Sequence, residues 1–256
     1  MCSFINYNVT MHKLNNWLIT VSFILLIISC SKRNDFSTTL KTEPELQQEP
    51  LQKLTTEPAF STTYNDELFE IIPKFEYELY GLVVSYRLHD SEHGQMLHAL
   101  SKDHLNVADY CVVWGQSADP NILREFDFSN GQFTCNYSTK SNEAWQAFDP
   151  KQLSNNHLLA IDDAVRTSID QISIGDQIYI KGWLAHYKTN GGSERGTSIT
   201  RNDTGNGACE TILVNEITLL AKMPSIWRQM MWISLGLFIL TLYIYFKSPY
   251  EPHNNA

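Results

Sequence analysis

A chain of 256 residues with a formal charge of −9 has room for one or two domains, and once the apolar segments at its two ends are set aside one domain of about 150 residues remains. The acidic balance excludes a phosphate-binding surface, which needs clustered Lys and Arg, so nucleic acid is not an expected partner. It also excludes adhesion of the domain itself to anionic lipid, which leaves membrane attachment to the terminal segments, and a domain of this size holds together without disulfides.

Residues 11–30 read MHKLNNWLITVSFILLIISC. One lysine precedes an apolar run from Trp17 to Ile28, which Ser29 and Cys30 end. The run is shorter than the about 20 residues a membrane span takes and fits the h-region of a signal peptide. Its ending, IISC, resembles the lipobox of bacterial lipoproteins, with a small residue before a modifiable thiol. The resemblance implies cleavage before Cys30 and a lipid on its sulfur, so residues 1–30 are expected to form a signal and lipobox segment. Residues 1–10 lack signal features, and Met11 is an alternative start.

Residues 31–69 are rich in Thr, Glu, Gln, Pro and Ser and contain the near-repeat TEPELQQEPLQKLTTEP. Low hydrophobicity with recurring Glu-Pro predicts a disordered, solvated tether.

The folded domain is expected over residues 70–222. Alternation of β-branched and aromatic residues predicts a first strand over 76–87. Helical spacing of Met96, Leu97, Leu100 and Leu105 behind Ser91 predicts a helix over 93–105. Short strands are expected over 110–114 and 131–138, and a second helix from Asp162 or Asp163 to Ile172. Strands over 175–187 and 208–220 follow, separated by a glycine-rich loop. The segment GDQIYIKGWL resembles strand entries of OB-fold barrels, in which an inner glycine permits curvature. With about five strands and two short helices, the expected class is α+β, mainly β, a small and partly open OB-like barrel. As a whole the domain resembles bacterial membrane-anchored envelope proteins of uncharacterised function.

Four groups of residues are candidates for chemistry. The stretch from Arg195 to Glu210 (RGTSITRNDTGNGACE) offers Arg195, Arg201, Asp203 and Glu210; with a metal these suit phosphodiester hydrolysis, whereas as a long hairpin loop they need no function. His89, Asp90, Glu92, His93, His98 and His104 lie close in sequence, but offsets of five and six do not share one helix face, so a solvated surface is expected rather than a metal site. His157, in LSNNHLL, is a candidate general base, set against a partly buried histidine in a loop with no nucleophile motif beside it. Cys111, Cys135 and Cys209 sit in expected strands; two of the three can form a disulfide, in a pairing that sequence leaves open. Trp114, Trp145, Phe148 and Trp183 are expected in the core rather than around a pocket.

Residues 230–246, MMWISLGLFILTLYIYF, carry no charge and lie between Arg228 and Lys247, with Trp227, Trp232, Tyr243 and Tyr245 near the ends. This pattern predicts a transmembrane helix over 227–247. The expectation that follows is a binding module of the cell envelope without catalysis or cofactor, held to the bacterial inner membrane by the Cys30 lipid and this helix. Its domain is expected on the periplasmic side, with an unknown protein or small ligand as partner. The alternatives are a metal-assisted hydrolase using the 195–210 loop, and a structural subunit of a membrane complex that makes contact through the C-terminal helix.

Overall fold

The computed structural model describes residues 2–89, 102–131, 134–190, 194–200 and 209–248, with side chains of the first helix from residue 13 onward. In chain order it contains α1 (Cys2–Lys32), β1 (Leu51–Leu54), β2 (Phe60–Tyr64), β3 (Glu67–Leu88), β4 (Asn106–Val113) and α2 (Pro120–Leu123). There follow β5 (Phe126–Asn130), β6 (Cys135–Thr139), α3 (Asn142–Ala147), β7 (Leu153–Leu159), α4 (Asp163–Asp170), β8 (Gln177–Thr189), β9 (Glu194–Arg195), β10 (Cys209–Ala221) and α5 (Ile226–Lys247). The class is α+β, mainly β, with a large mixed sheet. The chain divides into two units, Met1–Asp35 with Pro224–Ala256, and Phe36–Met223.

In the second unit β3 is the spine. It pairs antiparallel with β8 from Phe69 to Leu82 and with β4 from Leu82 to Leu88, while its N-terminal part also carries β2 and β1. The ladder register shifts between Pro73 and Phe75 and between Val83 and Ser85, bulges that let so long a strand bend and that accommodate a proline without a donor. β4 continues to β7, β7 pairs in parallel with β10, and β10 runs antiparallel to β8. The eight-stranded sheet as a whole does not close into a barrel, because β1, β2 and β9 branch from it. Gly182 is required where β8 crosses β10: a Cβ there would collide with the Leu213 carbonyl.

Strand alternation sorts side chains onto two faces. Tyr77, Leu79, Tyr110, Val112, Leu158, Ile178, Ile180, Leu184, Ile212 and Val214 form one buried cluster, against which α4 packs Ile169. Burying each large aliphatic side chain contributes about 1.5–3 kcal/mol. The helix starts where Asp162 accepts hydrogen bonds from the Ala164 and Val165 amides, at 2.7 and 3.3 Å, which satisfies donors that a helix N-terminus otherwise leaves unpaired. A second cluster joins Cys111, Val113 and Phe126 to Phe148, with Tyr137 and Phe128 against it. There the Cys111–Cys135 disulfide, Cα–Cα 5.8 Å, fastens the β5–β6 hairpin to β4.

Two stretches depart from the sequence reading. The expected tether of 31–69 carries a 3-10 turn (Pro44–Gln47), β1, β2 and the start of β3, and it buries Leu40, Leu46 and Phe69. Average polarity hid these few anchors. Gln177 also holds the segment, accepting from the Glu43 amide (2.6 Å) and donating to the Lys41 carbonyl (2.7 Å), and Trp114 donates to Glu49 (3.1 Å). The stretch LSNNHLL, expected as a loop, is strand β7, buried from Ser154 onward. Its polar residues obscure the strand pattern because they bond to one another and to β4; Asn156, for example, donates to the Tyr110 carbonyl at 3.2 Å. Most of the helix expected over 93–105 lies outside the described residues.

In the other unit α1 and α5 pack together. Asn15, Ser22 and Ser29 are buried at steps of seven on α1, as are Ser234 and Thr241 on α5. Asn15 Nδ2 donates to the Thr241 carbonyl (3.1 Å), and the Phe23 and Phe238 rings lie 5.5 Å apart. Small and polar residues on such a seam let helices approach closely. Both helices are long and apolar enough to cross a membrane, over Lys13–Lys32 and Ile226–Lys247. Asn15, just before the apolar run, is satisfied across the pair, and within the run Thr20 and Ser22 donate to the Asn16 and Ile19 carbonyls of α1's own backbone. Cys30 is an exposed thiol in the last turn of α1, outside any disulfide.

Candidate functional site: a buried Asp-His pair beside a reduced thiol

Asp109 sits in β4 between Ala108 and Tyr110, and strand alternation turns it away from the Tyr110 cluster. The antiparallel ladder sets His157 of β7 directly opposite it. In the parallel ladder beyond, Thr211 of β10 faces His157 and Cys209 faces Asn155. Three adjacent strands therefore lay Asp109, His157 and Cys209 across one face.

The pair at the centre is almost wholly buried, Asp109 at 1% and His157 at 3% exposure. His157 Nδ1 donates to Asp109 Oδ1 at 2.5 Å, and His89 Nε2 lies 3.0 Å from Asp109 Oδ2. Burial works against both charges, yet the hydrogen bond to Asp109 raises His157 to about 9, with help from a hydrogen bond to Cys209 and against the nearby Arg195. Burial likewise opposes the Asp109 carboxylate, and the bonds from His157 and His89 overcome it, holding the group well below the usual carboxylate range. At neutral pH the pair is an imidazolium and a carboxylate. Cys209 stands beside His157 across the β7–β10 ladder, and Asn155 Nδ2 approaches its sulfur at 3.6 Å.

Chain from the glycine-rich connection frames the sulfur. The Ser198 amide donates to the Cys209 carbonyl (2.8 Å), the Thr211 amide to Thr197 Oγ1 (3.0 Å) and the Thr211 hydroxyl to the Gly196 carbonyl (2.8 Å). Between this segment and β7 opens a cleft of about 570 Å³, lined by His157 and Cys209, by Glu194 to Ser198, and by His186. Arg195 is steered by Asp103, whose Oδ2 lies 3.7 Å from Arg195 Nη2 and accepts from the Tyr187 hydroxyl at 2.6 Å. Asn106 accepts from Arg195 Nη1 at 3.2 Å.

The candidates from sequence are thus redistributed. Arg195 and His157 share the cleft; Glu210, one residue from Cys209, faces the opposite side of β10 and does not line it. Arg201 and Asp203 lie outside the described residues, as do Asp90, Glu92, His93 and His98. His89 joins Asp109, whereas His104 contributes its carbonyl to Arg166 (3.1 Å). Among the described residues no three His, Cys, Asp or Glu side chains converge as a metal site. Trp114 and Phe148 are buried, and exposed Trp145 stacks on Tyr137. Sequence reasoning missed Asp109 and Asn155. The signal for Asp109 was present as a lone acid inside the apolar run VADYCVV, since a charge buried in a strand requires a partner. No protein-family model matches the chain, and neither a curated protein nor a solved structure matches it significantly.

Proposed function

We propose that the chain is a membrane-anchored binding module with an OB-like domain, and that its ligand is a small molecule with a carbonyl or carboxylate group, held in the cleft beside His157. The observation that carries this reading is where the cleft falls. Counting β3, β4, β7, β8 and β10 as first to fifth, the pairings run first, second, third, fifth, fourth and back to first, with the third and fifth parallel and α4 between the third and fourth. OB barrels share this arrangement and take ligands on the second and third strands and on the loop between the fourth and fifth. Asp109 and His157 lie on that strand pair, and Arg195 to Ser198 belong to that loop. Likeness of strand order is analogy, and the chemistry of the cleft supports the reading separately. Arg195 and the imidazolium of His157 are donors lining one opening, which Glu194 also borders and whose volume suits a small molecule, and Asn155 Nδ2 approaches the Cys209 sulfur that lines it.

The anchoring part of the proposal is a hairpin of α1 and α5 in the inner membrane, with the domain on the periplasmic side and both termini in the cytoplasm. The buried seam through Asn15, Ser22 and Ser29 favours an α1 retained against α5 over one removed by cleavage before Cys30.

The test uses the full chain in detergent and a panel of small carboxylates and esters. Ligands should raise its thermal midpoint in proportion to the logarithm of their concentration. Gly196→Leu should abolish the response while the protein stays folded, because a Cβ there meets only the His186 ring, at 3.7 Å, and the rest of the side chain fills the cleft. No response in the wild type, or an equal response in Gly196→Leu, overturns the binding site.

A further inference from the structure

From the same geometry we infer that Cys209 is a nucleophile, that His157 is its proton-transfer partner and Asp109 the group that orients it, and that Asn155 is the donor for the oxyanion formed when Cys209 attacks an ester or thioester carbonyl. This goes beyond binding, and it rests on the cleft being a ligand site.

Acyl transfer through a thiol needs four things in one place. The sulfur must reach solvent; Cys209 is outside the disulfide and lines the cleft. A base must stand beside it, and His157 lines the same cleft from the strand paired with that of Cys209. The base must be held in one orientation, which Asp109 does through Nδ1 at 2.5 Å from a position that adjacent strands fix. A donor must sit beside the attacked carbon, and Asn155 Nδ2 is 3.6 Å from the sulfur on the strand that also carries His157. All four side chains stand on paired strands rather than on loops, which suits a preorganised site. A structural thiol has no use for a buried Asp-His pair aimed at it, and burying that pair is costly unless it is fully bonded.

In its neutral form, reached as pH rises toward about 9, His157 takes the proton of Cys209, and the sulfur forms a bond to the acyl carbon as the carbonyl oxygen gains negative charge facing Asn155. The carbonyl re-forms as the bond to the alcohol or thiol leaving group breaks, and His157 returns the proton to that group. Water, deprotonated by His157, then cleaves the acyl–sulfur bond, giving a carboxylic acid and the original thiol. Ester or thioester and water are the only reactants.

The probes are p-nitrophenyl acetate, for acyl transfer, and iodoacetamide, for alkylation, applied to the full chain in detergent with peptide mass mapping. Acetyl should appear on Cys209 about tenfold or more faster in the folded than in the urea-unfolded protein, and Cys209→Ser should lose that peptide's modification. Asn155→Ala should slow acetylation about 10²-fold while leaving alkylation unchanged, because alkylation forms no oxyanion; a merely structural Asn155 would change both or neither. Slower acetylation of Cys209 in the folded protein, or equal effects of Asn155→Ala on both reagents, overturns the assignment. Ligand stabilisation that Gly196→Leu abolishes is read separately, so an inert thiol in a cleft that still binds defeats the nucleophile alone, whereas loss of both defeats the binding site as well.

Discussion

The Asp109–His157 pair ties the stability of the fold to pH, with a sign fixed by the directions of the two shifts. His157 stands at about 9 against an ordinary value of 6.5, so its stabilising contribution is complete below pH 6.5 and is lost as pH rises through about 9. Asp109 is shifted the other way, so its contribution is present above its ordinary 3.8 and fades only in strong acid. The groups facing His157 are Asp109, Cys209 and Arg195, with His89 on the far side of the carboxylate. The thermal midpoint should hold steady from mildly acidic to neutral pH and then fall toward alkaline pH, by an amount on the order of 3 kcal/mol in stability. Asp109→Asn should flatten that dependence and cost about 3–5 kcal/mol at pH near 6, by stranding a buried imidazolium or forcing it neutral. Scanning calorimetry across the range checks both; a wild-type midpoint that does not change through alkaline pH would contradict the ion pair.

At the scale of elements, bending allows β3 and β8 to serve several neighbours, and glycine marks where strands come closest. Gly182→Ala sets a methyl against the Leu213 carbonyl, backbone that cannot swing aside, and should destabilise the domain by roughly 1–3 kcal/mol in urea unfolding. Gly236→Ala in α5 is the control: nothing lies within 4 Å of the added Cβ, so it should be neutral or stabilising. The strands over 76–87, 175–187 and 208–220 were legible because their apolar residues alternate or run unbroken. β7 was not, since its Asn and His residues are polar groups satisfied by neighbours that sequence does not display. The β5–β6 hairpin is short, with only alternate residues turned inward, and of its two strands the second alone was foreseen.

For the whole molecule the question is whether the first helix stays with the chain. Cys substituted at Phe23 and at Phe238, whose rings lie 5.5 Å apart, should cross-link in isolated membranes on mild oxidation, whereas a pair with one Cys moved to exposed Trp17 should not. The cross-linked product must carry residues before Cys30 in its mass map. Absence of α1 from the mature chain would restore the lipoprotein reading, with Cys30 as its anchor. The two-helix reading also bears on the structural-subunit alternative, because α5 already commits one face to α1 and presents Trp232, Ile233, Ile239 and Tyr243 elsewhere.

The sequence by itself determined the apolar ends, the mainly β character, the capped helix at Asp162 and the central strands, because these depend on local periodicity and composition, which a linear reading preserves. It also narrowed the disulfide to three cysteines. Only the tertiary structure decided that Cys111 pairs with Cys135 and leaves Cys209 as a thiol, that the polar stretch after Phe36 packs through a few leucines, and that Asp109, Asn155, His157 and Cys209 meet. These residues are separated by up to 100 positions, and what joins them is ladder register. An antiparallel pairing sets Asp109 opposite His157 and a parallel one sets Cys209 beside Asn155. A slip of one residue would turn each side chain to the other face, so the site exists only as a property of the folded sheet.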